Sequence, residues 1–179
     1  MLTLDRTYFL DVEVWKEYGF TDMNTDLKKM KPIIYAVQKT RIEPIIGSTL
    51  YNKLVALIKA GTVTGLYKTL LEDHLIPVMI PYCDWKASVH TTTQITNKTT
   101  GKFSDEHIQA NSFSDNNKLR DELLKDAKEL EQVMKGWLCD NWDNIPELKG
   151  AVDNDELSQT IRPHLKKSND FTGNQFSII

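Results

Sequence analysis

"LRDELLKDAKELEQVMKGWLCDN", residues 119–141, is the stretch that decides the fold. Leu119, Leu123, Ala127, Leu130, Met134, Trp137 and Asn141 recur at alternating steps of four and three, and Leu124 and Leu138 widen the stripe. That is the period of one face of an α-helix. Asp121 stands four residues before Lys125, and Glu131 four before Lys135, the favourable order of charge along a helix. Ser114 or Asn117 can cap the start, and Pro146 lies just past the end. The pattern predicts a long helix with Leu123, Leu130, Met134 and Trp137 buried.

Working back from that helix, the chain is helical in pattern wherever it is regular. Leu27, Met30, Ile34 and Val37 share a helical spacing after a capping Asn24 or Thr25. Pro32 is awkward inside a helix and predicts a start close to it, and Pro44 is expected to end or bend the same helix. Gly47 suits a helix end and Ser48 the next N-cap. Leu50, Leu54, Leu57 and Ile58 then form a short buried stripe closed by Gly61. Thr64 caps a longer pattern running from Tyr67 through Leu70, Leu71, His74, Leu75, Val78, Met79, Tyr82 and Trp85 to Val89. Pro77 and Pro81, four apart, fall on one face of it and predict either a smooth bend or a break near Pro77.

Three stretches do not fit a bundle helix. Residues 1–24 form an N-terminal arm with crowded aromatics, whose anchors are Tyr8, Phe9 and Trp15. Such a segment packs on the body or on a neighbour, since exposed it promotes aggregation. About 91–111, "TTTQITNKTTGKFSDEHIQAN", is polar and Thr-rich. It reads as a surface loop or as a hairpin of "QITNK" and "GKFSDEHI" turning at Lys98-Thr99-Thr100-Gly101. A lone hairpin is marginal in water, so an ordered one leans on its own helices or on a neighbour. Gln94, Thr96, Asn97, Lys98, Thr99, Lys102 and Phe103 are then candidates for a subunit interface or a channel lining. Residues 146–179 are a C-terminal arm and tail, with apolar Phe171, Phe176, Ile178 and Ile179 in a polar setting as candidate anchors on a partner. The fold class expected is therefore mainly α: a small bundle of about four helices over 25–145, with a polar hairpin or loop insertion before the last long helix and extended N- and C-terminal arms.

Composition narrows the function. A chain of 179 residues, 40% hydrophobic and 26% charged, can bury a real core. Its net charge of −3 argues against a protein that coats DNA through Lys and Arg. Cys83 and Cys139 are too few for a disulfide framework or a thiolate metal site and read as reduced core cysteines of a cytoplasmic protein. The first twenty residues carry Asp5, Asp11, Glu13 and Glu17 and lack the pattern of a signal peptide. The longest apolar run, Leu75 to Cys83, is too short to span a membrane.

Catalytic motifs fail on inspection. "TTGK" at 99–102 lacks the Gly and the Ser or Thr of a phosphate-binding loop, having Thr96 and Phe103 in their places. His74, His90, His107 and His164 show no metal-ligand spacing, and His74 reads as a core histidine. Asp140 and Asp143 read as a solvated helix end, and Trp85, Trp137 and Trp142 as core packing. No catalytic residue, metal ligand or cofactor is expected, and the chain is not expected to be an enzyme.

The order of features resembles the head-to-tail connector (adaptor, or head-completion) proteins of tailed bacteriophages. The resemblance rests on "KPIIYAVQKTRIEPIIGSTLYNKL" at 31–54, "LYKTLLEDHLIPVM" at 66–79, "ITNK" at 95–98 and "LEQVMKGWLCDN" at 130–141. It covers roughly 25–145 and implies a helical domain that assembles into a ring, a dodecamer by resemblance. The implied ring docks on the portal protein, extends the DNA channel and receives the next neck or tail protein, with DNA only as passing cargo. The implied place is the neck of the virion, after synthesis in the host cytoplasm, and no membrane is involved. Alternatives are a neck or stopper protein one layer below the adaptor and, from another class, a small helical nucleic-acid-binding regulator. The acidic balance and the lack of a basic helix face weigh against the latter.

Overall fold

The computed structural model of the chain describes residues 6–20, 27–92, 94–95, 100–101 and 113–148, with side chains described over 6–20, 30–88 and 117–148. The fold is mainly α, a small helical bundle. After the short helix α1 (Val12–Tyr18), four continuous rods carry the described chain. The first is α2 (Leu27–Val37), which passes through a π-helical turn, Gln38–Ile42, into α3 (Glu43–Ile46). The second is α4 (Ser48–Ala60). The third is α5 (Gly65–Thr69), continued by a second π-helical turn, Leu70–Leu75, into α6 (Ile76–Thr92). The fourth is α7 (Phe113–Asp140). The main packing layer is α6 against α7, with α2 also packed on α6 and α1 against α2.

Proline and glycine place the joints. Each π turn ends two residues before a proline, Ile42 before Pro44 and Leu75 before Pro77. A proline lacks its amide donor and presses its ring on the carbonyl four residues back, here Thr40 and Asp73. Widening the helix by one residue at that point absorbs both demands without breaking the rod. Pro77 therefore neither breaks nor ends its helix, and Pro44 lies in the first turn of α3. Pro32 sits within α2, which starts at Leu27 rather than beside the proline. Gly47 takes φ 80°, where a side chain is strained, and separates α3 from α4. Gly61 at φ 64° closes α4, its amide donating to Ile58 O and Leu57 O. Gly47, not Ser48, stands at the N-cap of α4, and Ser114 and Asn117 fall inside α7 rather than capping it.

Between α6 and α7 the polar insertion holds a minimal antiparallel pair, β1 (Gln94–Ile95) and β2 (Thr100–Gly101), with Gln94 opposite Gly101 and Ile95 opposite Thr100. The turn is shifted from the expected one. α6 runs on to Thr92, so pairing begins at Gln94 and the connection spans 96–99, which puts Thr100 and Gly101 in the second strand.

One core unites the rods. Met30, Ile34, Ile42, Ile46, Leu50, Leu54, Leu70, Leu75, Met79, Ala127, Met134 and Leu138 are fully buried. The N-terminal arm is part of it, because Phe9, Leu10, Val12 and Trp15 are buried in the same cluster. So are Ile145 and Leu148, beyond the end of α7. There Tyr67 Oη donates to Glu147 Oε2 at 2.6 Å, fastening that turn to α5.

The long helix is rotated from its expected seat. Leu123, Ala127, Met134 and Leu138 make the buried line, and Trp137 is half-buried. Leu130 is 37% exposed and Leu119 46%. These two are eleven residues apart, three helical turns, so they share one edge of the stripe, outside the contact with α6. The Glu131–Lys135 pair is on the opposite edge, with Lys135 buried and Glu131 half-buried. We predict that Leu138→Ala costs about 2–5 kcal/mol in urea unfolding and Leu130→Ala at most about 1 kcal/mol. Equal costs would contradict this seating of α7.

Candidate interaction site

The site is built by the docking of residues 6–20 onto the bundle. Gln38 is completely buried in the first π turn and has every strong bond it needs. Its Oε1 accepts from Phe9 N at 2.9 Å, and its Nε2 donates to Thr7 O at 3.1 Å and to Tyr51 Oη at 2.7 Å. Phe9 also stacks on Tyr51, ring centroids 5.1 Å apart. Further along, Asp11 caps α1, accepting from Glu13 N at 2.8 Å. Trp15 is fully buried, and its Nε1 donates to Asp84 Oδ1 at 2.8 Å. Phe20 N donates to Asp84 Oδ2 at 3.0 Å. The buried carboxylate of α6 thus holds both ends of the Trp15–Phe20 segment.

This docking turns Tyr18 and Phe20 outward, 68% and 80% exposed. They form one wall of an open groove of about 690 Å³, whose floor is Ile76, Pro77, Ile80 and Pro81 and whose far wall carries Leu130 and Asp126. Val133, 62% exposed, lies on the same edge of α7. Pro77 and Pro81 do share a face, as their spacing implied, and it is this one. The groove lining contains the carboxylates Glu72, Asp84 and Asp126 and no cation.

The other flank of the same layer is different. A second groove of about 690 Å³ is lined by Arg41, Tyr82, Lys128, Asp121, Glu129 and Glu131, among others. Glu131 accepts from Tyr82 Oη and from the buried Lys135. Burial and the neighbouring Glu131 carboxylate hold the Tyr82 phenol well above its ordinary range. The Arg41 guanidinium lies over the rings of Tyr82 and Trp85, 5.3 Å from each centroid, and Arg120 lies 5.9 Å from that of Trp85. The Nε of Arg120 is buried with no hydrogen-bond partner among the described residues.

The expected anchors fare differently. Phe9 and Trp15 are buried in this chain's own core, with Tyr8 partly buried against it, so the arm anchors serve the body. Gln94 lies in β1; Thr96, Asn97, Lys98, Thr99, Lys102 and Phe103 lie outside the described residues, as do Phe171, Phe176, Ile178 and Ile179. His74 is half-buried in the second π turn against Trp137, centroids 4.7 Å apart, and desolvation lowers its pKa. Cys83 is buried and Cys139 half-buried, both as free thiols, and burial pushes both pKa values up. Asp140 and Asp143 are exposed. Among the described residues, no group of three or more His, Cys, Asp or Glu could hold a metal ion. Among the same residues, no single helix is long and apolar enough to cross a membrane. Asp84, Gln38, Arg41 and Arg120 were not singled out by sequence reasoning. Asp84 alone left a signal, as a lone charge in the apolar run "LIPVMIPYCDW".

Residues 42–156, more than half of the chain, match a family of unknown function, DUF6712. The chain belongs to that family. The DUF6712 region begins inside the first π turn, so it takes in α4, α6 and α7 while α1 and α2 lie upstream of it. Its match therefore includes the helical walls of both grooves but not Tyr18, Phe20 or Arg41. Neither the curated proteins nor the solved structures compared with the chain gave a match.

Asp84→Ala would leave the Trp15 indole N–H and the Phe20 amide without their acceptor. Hydrogen bonds to charged groups contribute roughly 1.5–3 kcal/mol each, so a loss of about 3–5 kcal/mol in urea unfolding is predicted. A loss below about 1 kcal/mol would show that the arm is not held through Asp84.

Proposed function

We propose that this chain is a structural virion protein, the subunit of an adaptor ring that docks on the portal of a tailed bacteriophage, joins head to tail and extends the DNA channel. The single observation that carries the reading is the open apolar groove walled by Tyr18, Phe20 and Leu130. A small domain that already buries a full core gains nothing by leaving two aromatics on its surface unless another chain covers them. The ordered resemblance of residues 25–145 to phage connector proteins supplies the kind of assembly. In this reading neighbouring copies cover the groove, and the virion neck is the site of action. The portal and the next neck or tail protein are the partners, and DNA passes without being recognised. Phe171, Phe176, Ile178 and Ile179 are the portal-facing anchors, and the insertion that includes Gln94 projects from the bundle toward a neighbour or the channel.

Electron microscopy of the protein, alone at high concentration and with portal protein, tests the reading. Closed rings with a central channel are expected. Removing residues 169–179 is expected to abolish portal binding while leaving the melting temperature unchanged. Single compact particles in both preparations, with no binding to portal, would overturn the proposal.

A further inference from the structure

The two grooves lie on opposite flanks of the α6–α7 layer, and their chemistry is complementary. On α7, successive residues turn by about 100°, so Asp126, Leu130 and Val133 stand on one side of the buried Leu123–Ala127–Met134–Leu138 line. Glu131 and Lys135 stand on the other, and Arg120, about three to four turns earlier in α7, lies against Trp85. One flank is mainly apolar; of its carboxylates Glu72 pairs with Lys68 at 3.8 Å and Asp84 accepts from Trp15 and Phe20, while Asp126 makes no ion pair among the described residues. The other sets two guanidinium groups on Trp85. Neither Arg41 nor Arg120 makes a hydrogen bond or ion pair among the described residues, and Arg120 keeps a buried, unused N–H. A guanidinium offers a planar fork of donors suited to a carboxylate, and buried donors in folded proteins find acceptors.

We propose that these flanks are the two halves of one contact between copies of this chain, in which the Tyr18–Phe20–Leu130 flank of one copy seats on the Arg41–Trp85–Arg120 flank of the next and brings Asp126 to the guanidinium groups. A head-to-tail contact needs two different, mutually complementary surfaces facing away from each other, and only such a contact closes into a ring. This rests on the adaptor-ring reading and specifies which surfaces close it. The groove on the Arg41 flank mixes Arg41, Lys125, Lys128 and Lys135 with Asp121, Glu129 and Glu131, a balance suited to a protein surface of mixed charge rather than to the continuous negative charge of a nucleic-acid backbone.

The test uses the full chain and two charge reversals, Asp126→Lys and Arg41→Glu, with Lys128→Glu replacing the latter if Arg41→Glu does not fold. Sedimentation velocity at low salt and concentrations up to millimolar should show wild-type self-association. Each variant alone should associate at least tenfold more weakly. An equimolar mixture should regain association, since the two sound flanks match and the two reversed flanks again carry opposite charges. Wild type that stays monomeric, variants that associate as wild type does, or a mixture that fails to pair would each overturn the proposal. So would loss of duplex DNA binding in Arg41→Glu with self-association unchanged. Closed rings formed normally by both variants would overturn this contact and leave the ring reading intact. Open-ended filaments that both variants abolish would establish the contact and overturn the ring.

Discussion

The carboxylate of Asp84 sits in the most apolar stretch of the chain, and much of the surface architecture follows from its position. A charge taken out of water is costly unless it is fully hydrogen-bonded. The two oxygens of Asp84 meet that demand with donors from one short segment, the Trp15 indole at 2.8 Å and the Phe20 amide at 3.0 Å. The bond therefore fixes both where α1 lies and how the chain leaves it. With Trp15 drawn inward, Tyr18 and Phe20 point outward and wall the apolar groove. Gly19 makes this exit possible, because any Cβ there would meet the Trp15 ring at 2.6 Å. Gln38 repeats the device at the other end of the arm, with polar side-chain bonds to Phe9 and Thr7 fixing what apolar contact alone would leave free to slide.

The π turns explain why both polar anchor regions lie where they do. A π turn inserts one residue into the helical count and so changes which positions face the core. In the first, Gln38 is turned inward and Arg41 is brought over Tyr82 and Trp85. In the second, His74 is laid against Trp137 while Leu70 and Leu75 are buried. In both cases the proline two residues on favours the widened turn. The prolines thus do more than bend the rods; they set the phase of the side chains that follow.

Much of the bundle was legible in the sequence because its signals are local. The period of α7, the glycines at 47 and 61 and the strand-forming residues of the insertion each act within a few residues. What escaped depends on distant partners. The width of the α7 stripe was readable, but not which edge faces α6, so Leu130 was expected inside and lies at the rim. Asp84 and Gln38 carry meaning only once residues 6–20 are placed beside them, 64 to 69 and 29 to 31 positions away. The Arg41–Trp85–Arg120 cluster joins three elements and has no signature in any one of them.

The central claim is that residues 6–20 belong to the core and that the apolar flank exists because they do. The exchange rate of the Trp15 indole N–H, assigned by loss of its NMR signal in Trp15→Phe, tests it most directly. The account predicts exchange only through global unfolding, with the same free energy as the slowest amides of α6 and the same response to urea. Exchange at the rate of an exposed indole, while the α6 and α7 amides stay protected, would contradict it.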